Sequence, residues 1–154
     1  MKEDLRELYQ QVILDHNKSP RNFKKIEEHN HFAEGYNPLC GDKIDVYVLI
    51  EDGIIKDISF QGSGCAISKA SASLMSSLVK GKPVVEAEKL FEKFHDLITG
   101  KLDEENSLEE LGKLAVFAGV KDFPARVKCA SLAWHTMQSA IKSESSSVST
   151  EEKI

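Results

Sequence analysis

Long apolar runs are missing from this sequence. No stretch approaches the roughly 18 consecutive apolar residues that suggest a membrane-spanning helix. Residues 1–6 also lack the apolar core of a secretory signal. We therefore expect neither a membrane segment nor export. No basic stripe is visible and the net charge is −5, so we expect no nucleic-acid partner.

Several catalytic signatures are missing as well. The sequence contains no Walker loop, no dinucleotide-binding fingerprint and no Ser-His-Asp arrangement. The Gly-Ser-Gly segment at 62–64 is too short to argue for phosphate binding. The five histidines are better explained by structural or surface roles, so any chemistry has to come from other residues.

Cysteine is scarce, with three residues that lie far apart in a chain of 154. An odd number of widely spaced cysteines does not match the disulfide framework of a small secreted protein. Metal-binding or reactive thiols in a reducing compartment fit this pattern better, and we expect a cytoplasmic protein.

Each cysteine lies where a thiolate is favoured. Cys40 is in a turn bounded by proline and glycine. Cys65 stands at the start of a predicted helix, where amide groups and the helix dipole lower the pKa of a thiol. Cys129 follows two basic residues, one of which is Arg126, and positive charge has the same effect. Together with Asp42, the cysteines supply three sulfurs and one carboxylate, enough for a tetrahedral metal site.

These residues also have a structural interpretation. Free cysteine often packs in a core as a small apolar residue. Asp42 could cap the backbone of a turn, and Arg126 could form a surface ion pair. The hypothesis of a metal site therefore depends on whether the four candidate ligands converge.

One domain is expected from the length, and a hydrophobic fraction of 41% is enough for a globular core. Apolar alternation around Asp-Gly at 52–53 predicts an antiparallel hairpin, with Ile54, Ile58 and Phe60 alternating in its second strand. Helical spacing accounts for most of the remaining chain. The predicted strands are 31–36, 43–50 and 54–61, and the predicted helices are 3–15, 65–80, 83–98, 107–117 and one opening at Pro124.

Four ordered motifs resemble a known family. They are Asp-His followed by Pro-Arg-Asn (15–22), Asn-Pro-x-Cys-Gly-Asp (37–42), Gly-x-Gly-Cys-x-Ile-Ser-x-Ala-Ser-Ala-Ser (62–73) and Pro-Ala-Arg-Val-Lys-Cys-Ala-x-Leu-Ala-Trp (124–134). Together they resemble the IscU/NifU-like iron–sulfur cluster assembly family, and within it the SufU branch.

This resemblance implies an α+β sandwich, with a small three-stranded antiparallel sheet packed against several helices. It places Cys40, Asp42, Cys65 and Cys129 at one exposed end. The assembly domain would span 1–142, and 143–154 would be a disordered polar tail.

Two departures separate the chain from the scaffold branch of that family. Lys128 stands where the scaffold branch has a histidine ligand before its third cysteine. Residues 121–126 replace the Leu-Pro-Pro-Val segment that a dedicated chaperone reads. A longer segment before the last helix is typical of the SufU branch, and residues 99–123 look like it.

The resemblance leaves two main functions open. In the first, the protein is a zinc-dependent sulfurtransferase that accepts persulfide sulfur from a cysteine desulfurase and passes it on. Cys40 would be the acceptor and Arg126 would support it, while Asp42, Cys65 and Cys129 keep the zinc. In the second, the same site is a non-enzymatic scaffold for a transient [2Fe–2S] cluster or iron.

Further partners would be downstream iron–sulfur assembly proteins. A third hypothesis is a zinc-stabilised interaction domain without chemistry, in which Cys40 can be replaced without loss of activity.

Overall fold

The computed structural model describes residues 2–102, 109–142 and 147–149. Three antiparallel strands and the helices packed on them form its α+β frame, as predicted. The elements are α1 (Lys2–Lys18), β1 (His31–Asn37), β2 (Asp42–Glu51), β3 (Ile54–Ser63), α2 (Ala66–Val79), α3 (Val84–Ile98), a 3₁₀ segment (Gly112–Asp122), α4 (Pro124–Lys142) and β4 (Ser147–Ser149).

The hairpin of β2 and β3 turns at Asp52 and Gly53. Both residues have positive φ, 54° and 74°, as a two-residue type I′ turn requires. Leu49 pairs with Asp57 but Ile50 pairs with Ile55, so the residue between those partners forms a bulge. The bulge shifts the register, and Ile55, not the predicted Ile54, is the fully buried residue.

The core lies between the inner face of the sheet and helices α2, α3 and α4. Trp134 of α4 is fully buried at its centre. Its ring stacks on Phe94 of α3 with centroids 4.8 Å apart, and its Nε1 donates a hydrogen bond to Ser71 of α2 at 3.1 Å. Because three helices share this side chain, α4 is held in a fixed position against α2.

The predicted helix 107–117 is only partly present. Its first residues, 107 and 108, lie outside the described residues, and 109–111 form one helical turn. Gly112 then has φ +55°, which an α-helix does not allow, and the chain continues as the 3₁₀ segment. Leu114 and Phe117 of that segment are fully buried, so burial compensates for the interrupted helix.

The Asp-His…Pro-Arg-Asn motif connects the end of α1 to α2 by hydrogen bonds. His16 is buried and its Nδ1 lies 2.7 Å from Ser73 Oγ. The Arg21 backbone N–H donates to the same oxygen at 2.8 Å, and Asn22 Nδ2 donates to Ser76 Oγ at 2.9 Å. This motif is therefore accounted for by packing between helices.

Most of the predicted tail, 143–154, lies outside the described residues. Ser147–Ser149 are described, and they pair in parallel with Glu34, Gly35 and Tyr36 as a fourth strand. The disorder of the other tail residues stays a prediction. Within the described ranges, no helix is long and apolar enough to cross a membrane.

Candidate metal centre

A tight turn presents Cys40. The Gly41 backbone N–H donates to the Asn37 carbonyl at 2.8 Å, and Gly41 has φ +72°. This left-handed conformation, which glycine adopts at low cost, lets β1 reverse directly into β2. Cys40 at the tip of the turn is exposed, whereas Asp42 at the start of β2 is fully buried.

Cys65 is the N-cap residue of α2. Its sulfur accepts a hydrogen bond from the Ser68 backbone N–H at 3.5 Å. The backbone of Gly64, the residue before Cys65, packs against the Asp42 carboxylate. A Cβ added at Gly64 would lie only 2.7 Å from Asp42 Oδ1. Close approach of backbone to carboxylate therefore explains a glycine at this position.

Cys129 reaches the same place from the first turns of α4. It is only 3% exposed, and its Sγ lies 3.4 Å from Cys40 Sγ. Three segments that are distant in sequence thus meet: the β1–β2 turn, the N-terminus of α2 and the start of α4.

Three of the four predicted ligand side chains form one cluster, and Cys65 lies outside it. Ligand atoms of Cys40, Asp42 and Cys129 all lie within 4.8 Å, the one such group of three or more His, Cys, Asp or Glu side chains within the described ranges. Cys65 Sγ lies 4.0 Å from Asp42 Oδ2. Zinc–sulfur bonds of about 2.3 Å place two sulfurs roughly 3.8 Å apart in a tetrahedron, so the 3.4 Å between Cys40 and Cys129 suits two ligands of one metal ion. That Cys65 is a further ligand stays a prediction.

The fold and these motifs can be compared with known proteins. A family model of the NifU-like N-terminal domain matches residues 8–130. The chain belongs to this family.

Relatives of this NifU-like domain carry two kinds of name. The zinc-dependent sulfurtransferase SufU of Bacillus subtilis is 39% identical over 137 residues, covering 89% of this chain and 91% of that protein. The iron–sulfur cluster assembly scaffold protein IscU of Thermotoga maritima is 38% identical over 135 residues, covering 88% and 93%.

A solved structure supports the same fold. It comes from Fervidobacterium islandicum AW-1 and was assigned as an iron–sulfur cluster assembly scaffold protein for the SUF system. It superposes with a TM-score of 0.78 at 37% identity, covering 85% of this chain and 94% of that one. The resemblance to the IscU/NifU-like family and its α+β fold is therefore confirmed.

Two residues of the NifU-like site were not predicted from the sequence, and both hold Asp42. Ser68 Oγ donates to Asp42 Oδ2 at 2.8 Å, and Asn37 Nδ2 donates to the same oxygen at 3.2 Å. The Cys65 backbone N–H donates to Asp42 Oδ1 at 2.9 Å. Both side chains lie within motifs of the family, which is the signal that could have marked them.

The pKa values of Cys65 and Cys129 shift in opposite directions. The Cys129 thiol donates to its sulfur, and the Ser68 N–H adds to this, so the pKa of Cys65 is lowered to about 6 although burial acts in the opposite direction. The hydrogen bond to Cys65 and burial raise the pKa of Cys129. These hydrogen bonds favour the thiolate at Cys65 and the thiol at Cys129. Metal binding would release the proton of Cys129, because a thiol coordinates as the thiolate.

Arg126 is exposed in the first turn of α4. Its guanidinium lies over the ring of Phe123, 4.3 Å from the centroid. In the part of the chain that the structure describes, no hydrogen bond or ion pair joins it to the four candidate ligands. A role in chemistry requires its side chain to turn away from Phe123, and that role stays a prediction.

We expect Asp42→Ala to weaken zinc binding by more than about tenfold. The substitution removes the carboxylate from the four candidate ligands, and it leaves three hydrogen-bond donors without their acceptor. Competition with a zinc chelator measures this. Asp45→Ala is the matched control, since Asp45 lies on the same strand but on the opposite face. Equal zinc affinity in wild type and Asp42→Ala would show that Asp42 is only a turn residue.

Proposed function

We propose that this protein is a zinc-dependent acceptor of persulfide sulfur in iron–sulfur cluster assembly. The observation that carries the proposal is the unequal exposure of the four candidate ligands. Cys40 is exposed on a turn, Cys65 is half-buried, and Cys129 and Asp42 are buried. One thiol is therefore accessible to a partner, and the burial of the other side chains supports a role for them in retaining a metal.

The donor set fits zinc. Three thiolates and one carboxylate match its preference for tetrahedral sulfur, nitrogen and oxygen ligands. Cys40, Asp42, Cys65 and Cys129 would hold the ion. When bound, zinc would keep the cysteines deprotonated at neutral pH and so supply a thiolate without a separate base.

The transfer step is a thiol–persulfide exchange. The Cys40 thiolate attacks the outer sulfur of a persulfide on the desulfurase cysteine. A sulfur–sulfur bond forms to Cys40, the sulfur–sulfur bond of the donor breaks, and the desulfurase cysteine leaves as a thiolate. The outer sulfur keeps its proton, and no external oxidant or reductant is needed. An exposed turn suits this step because the donor cysteine has to approach Cys40 directly.

Arg126 is proposed to stabilise the thiolates that exchange. It lies one helical turn before Cys129, and its exposed guanidinium stacks on Phe123. A hydrogen bond to a charged group contributes about 1.5–3 kcal/mol, so its loss corresponds to roughly a tenfold or larger effect on rate.

We therefore expect Arg126→Ala to slow sulfur uptake by about tenfold or more while zinc content stays unchanged. Initial rates of adduct formation by mass spectrometry, with zinc analysis beside them, measure both quantities. Arg126→Lys is the matched variant and should keep part of the rate because it keeps the charge. Wild-type rates for Arg126→Ala would limit Arg126 to its contact with Phe123.

A second candidate function is assembly of a [2Fe–2S] cluster at the same residues. Three convergent thiols favour it, since thiolates also hold iron–sulfur clusters, and so does the relative named as an IscU scaffold. Iron and sulfide would be cargo in this case. A stable cluster spectrum after anaerobic reconstitution, with no sulfur adduct on the wild-type protein, would favour the scaffold.

A cysteine desulfurase is the partner that this chemistry requires, and downstream iron–sulfur assembly proteins would receive the sulfur. We place the protein in the cytoplasm because persulfide exchange needs reduced thiols. The third hypothesis, a zinc-stabilised domain without chemistry, requires full function from a folded protein that lacks Cys40.

A further inference from the structure

We propose that Asn37 is a positioning residue that couples the exposed candidate ligand Cys40 to the buried candidate ligands Asp42 and Cys129. The inference rests on the metal site proposed above. It concerns a side chain that belongs to none of the four ligands but contacts two of them and the turn that carries a third.

The amide of Asn37 faces the site with a defined orientation. Asn37 is fully buried at the end of β1. Its Nδ2 lies 3.2 Å from Asp42 Oδ2 and 3.5 Å from Cys129 Sγ, and its Oδ1 accepts from the Leu39 backbone N–H at 3.3 Å. Rotating the amide by 180° would set its oxygen against a carboxylate and a sulfur, so the hydrogen-bond partners fix the assignment.

The Nδ2 group acts on the retained ligands. Three thiolates and one carboxylate around a divalent ion carry a net charge of about −2. An amide has two N–H donors, one for Asp42 and one for Cys129, and both would place positive hydrogen charge beside this excess. Hydrogen bonds of this kind also orient metal ligands, and their removal typically costs 10–100-fold in metal affinity.

The Oδ1 atom of Asn37 holds the turn that carries Cys40. It holds the backbone of Leu39, whose side chain is 61% exposed and which directly precedes Cys40. Breaking this one hydrogen bond loosens the turn just before Cys40, which has to move away from the metal when it accepts sulfur. Ser68 also contacts Asp42, but its other hydrogen-bond partner is the Cys129 carbonyl, not the turn. Among the residues that hold Asp42, Asn37 is thus the side chain that also tethers Cys40.

Two substitutions separate these actions. Asn37→Asp keeps an oxygen that can accept from Leu39 but replaces the donors to Asp42 and Cys129 by a second oxygen. Asn37→Ala removes both contacts. Asn30→Ala is the matched control, because Asn30 makes two hydrogen bonds to the backbone of Ile50, at 2.7 and 2.9 Å, at the other end of the same strand pair.

The experiment measures zinc affinity by chelator competition and the alkylation rate of Cys40 in the zinc-loaded protein by mass spectrometry. We expect both Asn37 variants to lose about 10–100-fold in affinity. The alkylation rate of Cys40 should rise about fivefold in Asn37→Ala, because that factor corresponds to the loss of one hydrogen bond. In Asn37→Asp the rate should stay near that of wild type. Asn30→Ala should change neither quantity.

Equal zinc affinities for wild type and Asn37→Asp would overturn the inference. If Asn37→Ala does not fold, the zinc affinity of Asn37→Asp is sufficient for the test. Parallel changes in Asn37→Ala and Asn30→Ala would also overturn it, since they would indicate general loosening of the strand pair. Failure of the wild-type protein to bind zinc would refute the metal site itself, and the wild-type curve in the same experiment identifies that case.

Discussion

Replacing Cys40 by serine should abolish uptake of sulfur from a cysteine desulfurase. A serine hydroxyl is not ionised at neutral pH and is a poor nucleophile toward sulfur, whereas a thiolate is the species that attacks a persulfide. Cys40 is exposed on a turn outside the core, so the substitution should leave the fold intact. The measurement is mass spectrometry of the protein after incubation with desulfurase and cysteine, scored for an adduct of one sulfur atom.

The control for this experiment is the position of the adduct. In the wild-type protein it should be on Cys40, and the Cys40→Ser protein should show a melting curve close to that of wild type. An adduct of undiminished yield on Cys65 or Cys129 in the Cys40→Ser protein would refute the assignment of Cys40. It would mean that a buried or half-buried thiol can be reached by the donor.

Removing zinc should lower the melting temperature by about 5–15 °C without unfolding the domain. Ligand at 100–1,000 times its dissociation constant stabilises by about 2.7–4.1 kcal/mol, and each kcal/mol corresponds to about 2–4 °C for a domain of this size. The metal would connect the β1–β2 turn to α2 and α4, and that connection is lost on chelation.

The fold should survive because the main apolar cluster is built from other residues. Trp134, Phe94 and Phe60 are fully buried and belong to one apolar cluster that contains none of the cysteines. Thermal unfolding followed by circular dichroism, before and after chelation, tests this prediction. Cys129→Ser serves as the control, since a protein that cannot hold zinc should not respond to the chelator. An unchanged wild-type melting curve after verified zinc removal would contradict the prediction.

The candidate ligands could be named from the sequence because the features that mark them are local. The helix start at Cys65 predicted a lowered thiol pKa, and the structure agrees. The basic residues before Cys129 predicted the same there, and that expectation was wrong, because the hydrogen bond to Cys65 and burial raise the pKa of Cys129. The partners of Asp42 could not be predicted this way. The Ser68 hydroxyl reaches it from 26 residues away, and Asn37 reaches Cys129 across 92 residues. Such contacts depend on how α2 and α4 pack.

The fold shows the same division. Alternation and Asp-Gly were enough for the β2–β3 hairpin, but not for the bulge that buries Ile55. The alternation of apolar and polar residues in a strand does not predict where a β-bulge inserts one extra residue. A start signal at 107–110 predicted a helix to about 117, but the positive φ of Gly112 ended it early. Backbone conformation at a single glycine outweighed the signal at the start of the helix.

The central claim is that one zinc ion is held by three sulfurs and one oxygen. X-ray absorption at the zinc edge, on protein purified without added metal, tests it most directly. We predict one zinc per chain with three sulfur neighbours at about 2.3 Å and one lighter neighbour at about 2.0–2.2 Å. Asp42→Ala should alter the lighter shell and leave the sulfur shell in place. A zinc environment with fewer than three sulfurs, or protein that retains no zinc, would contradict the account.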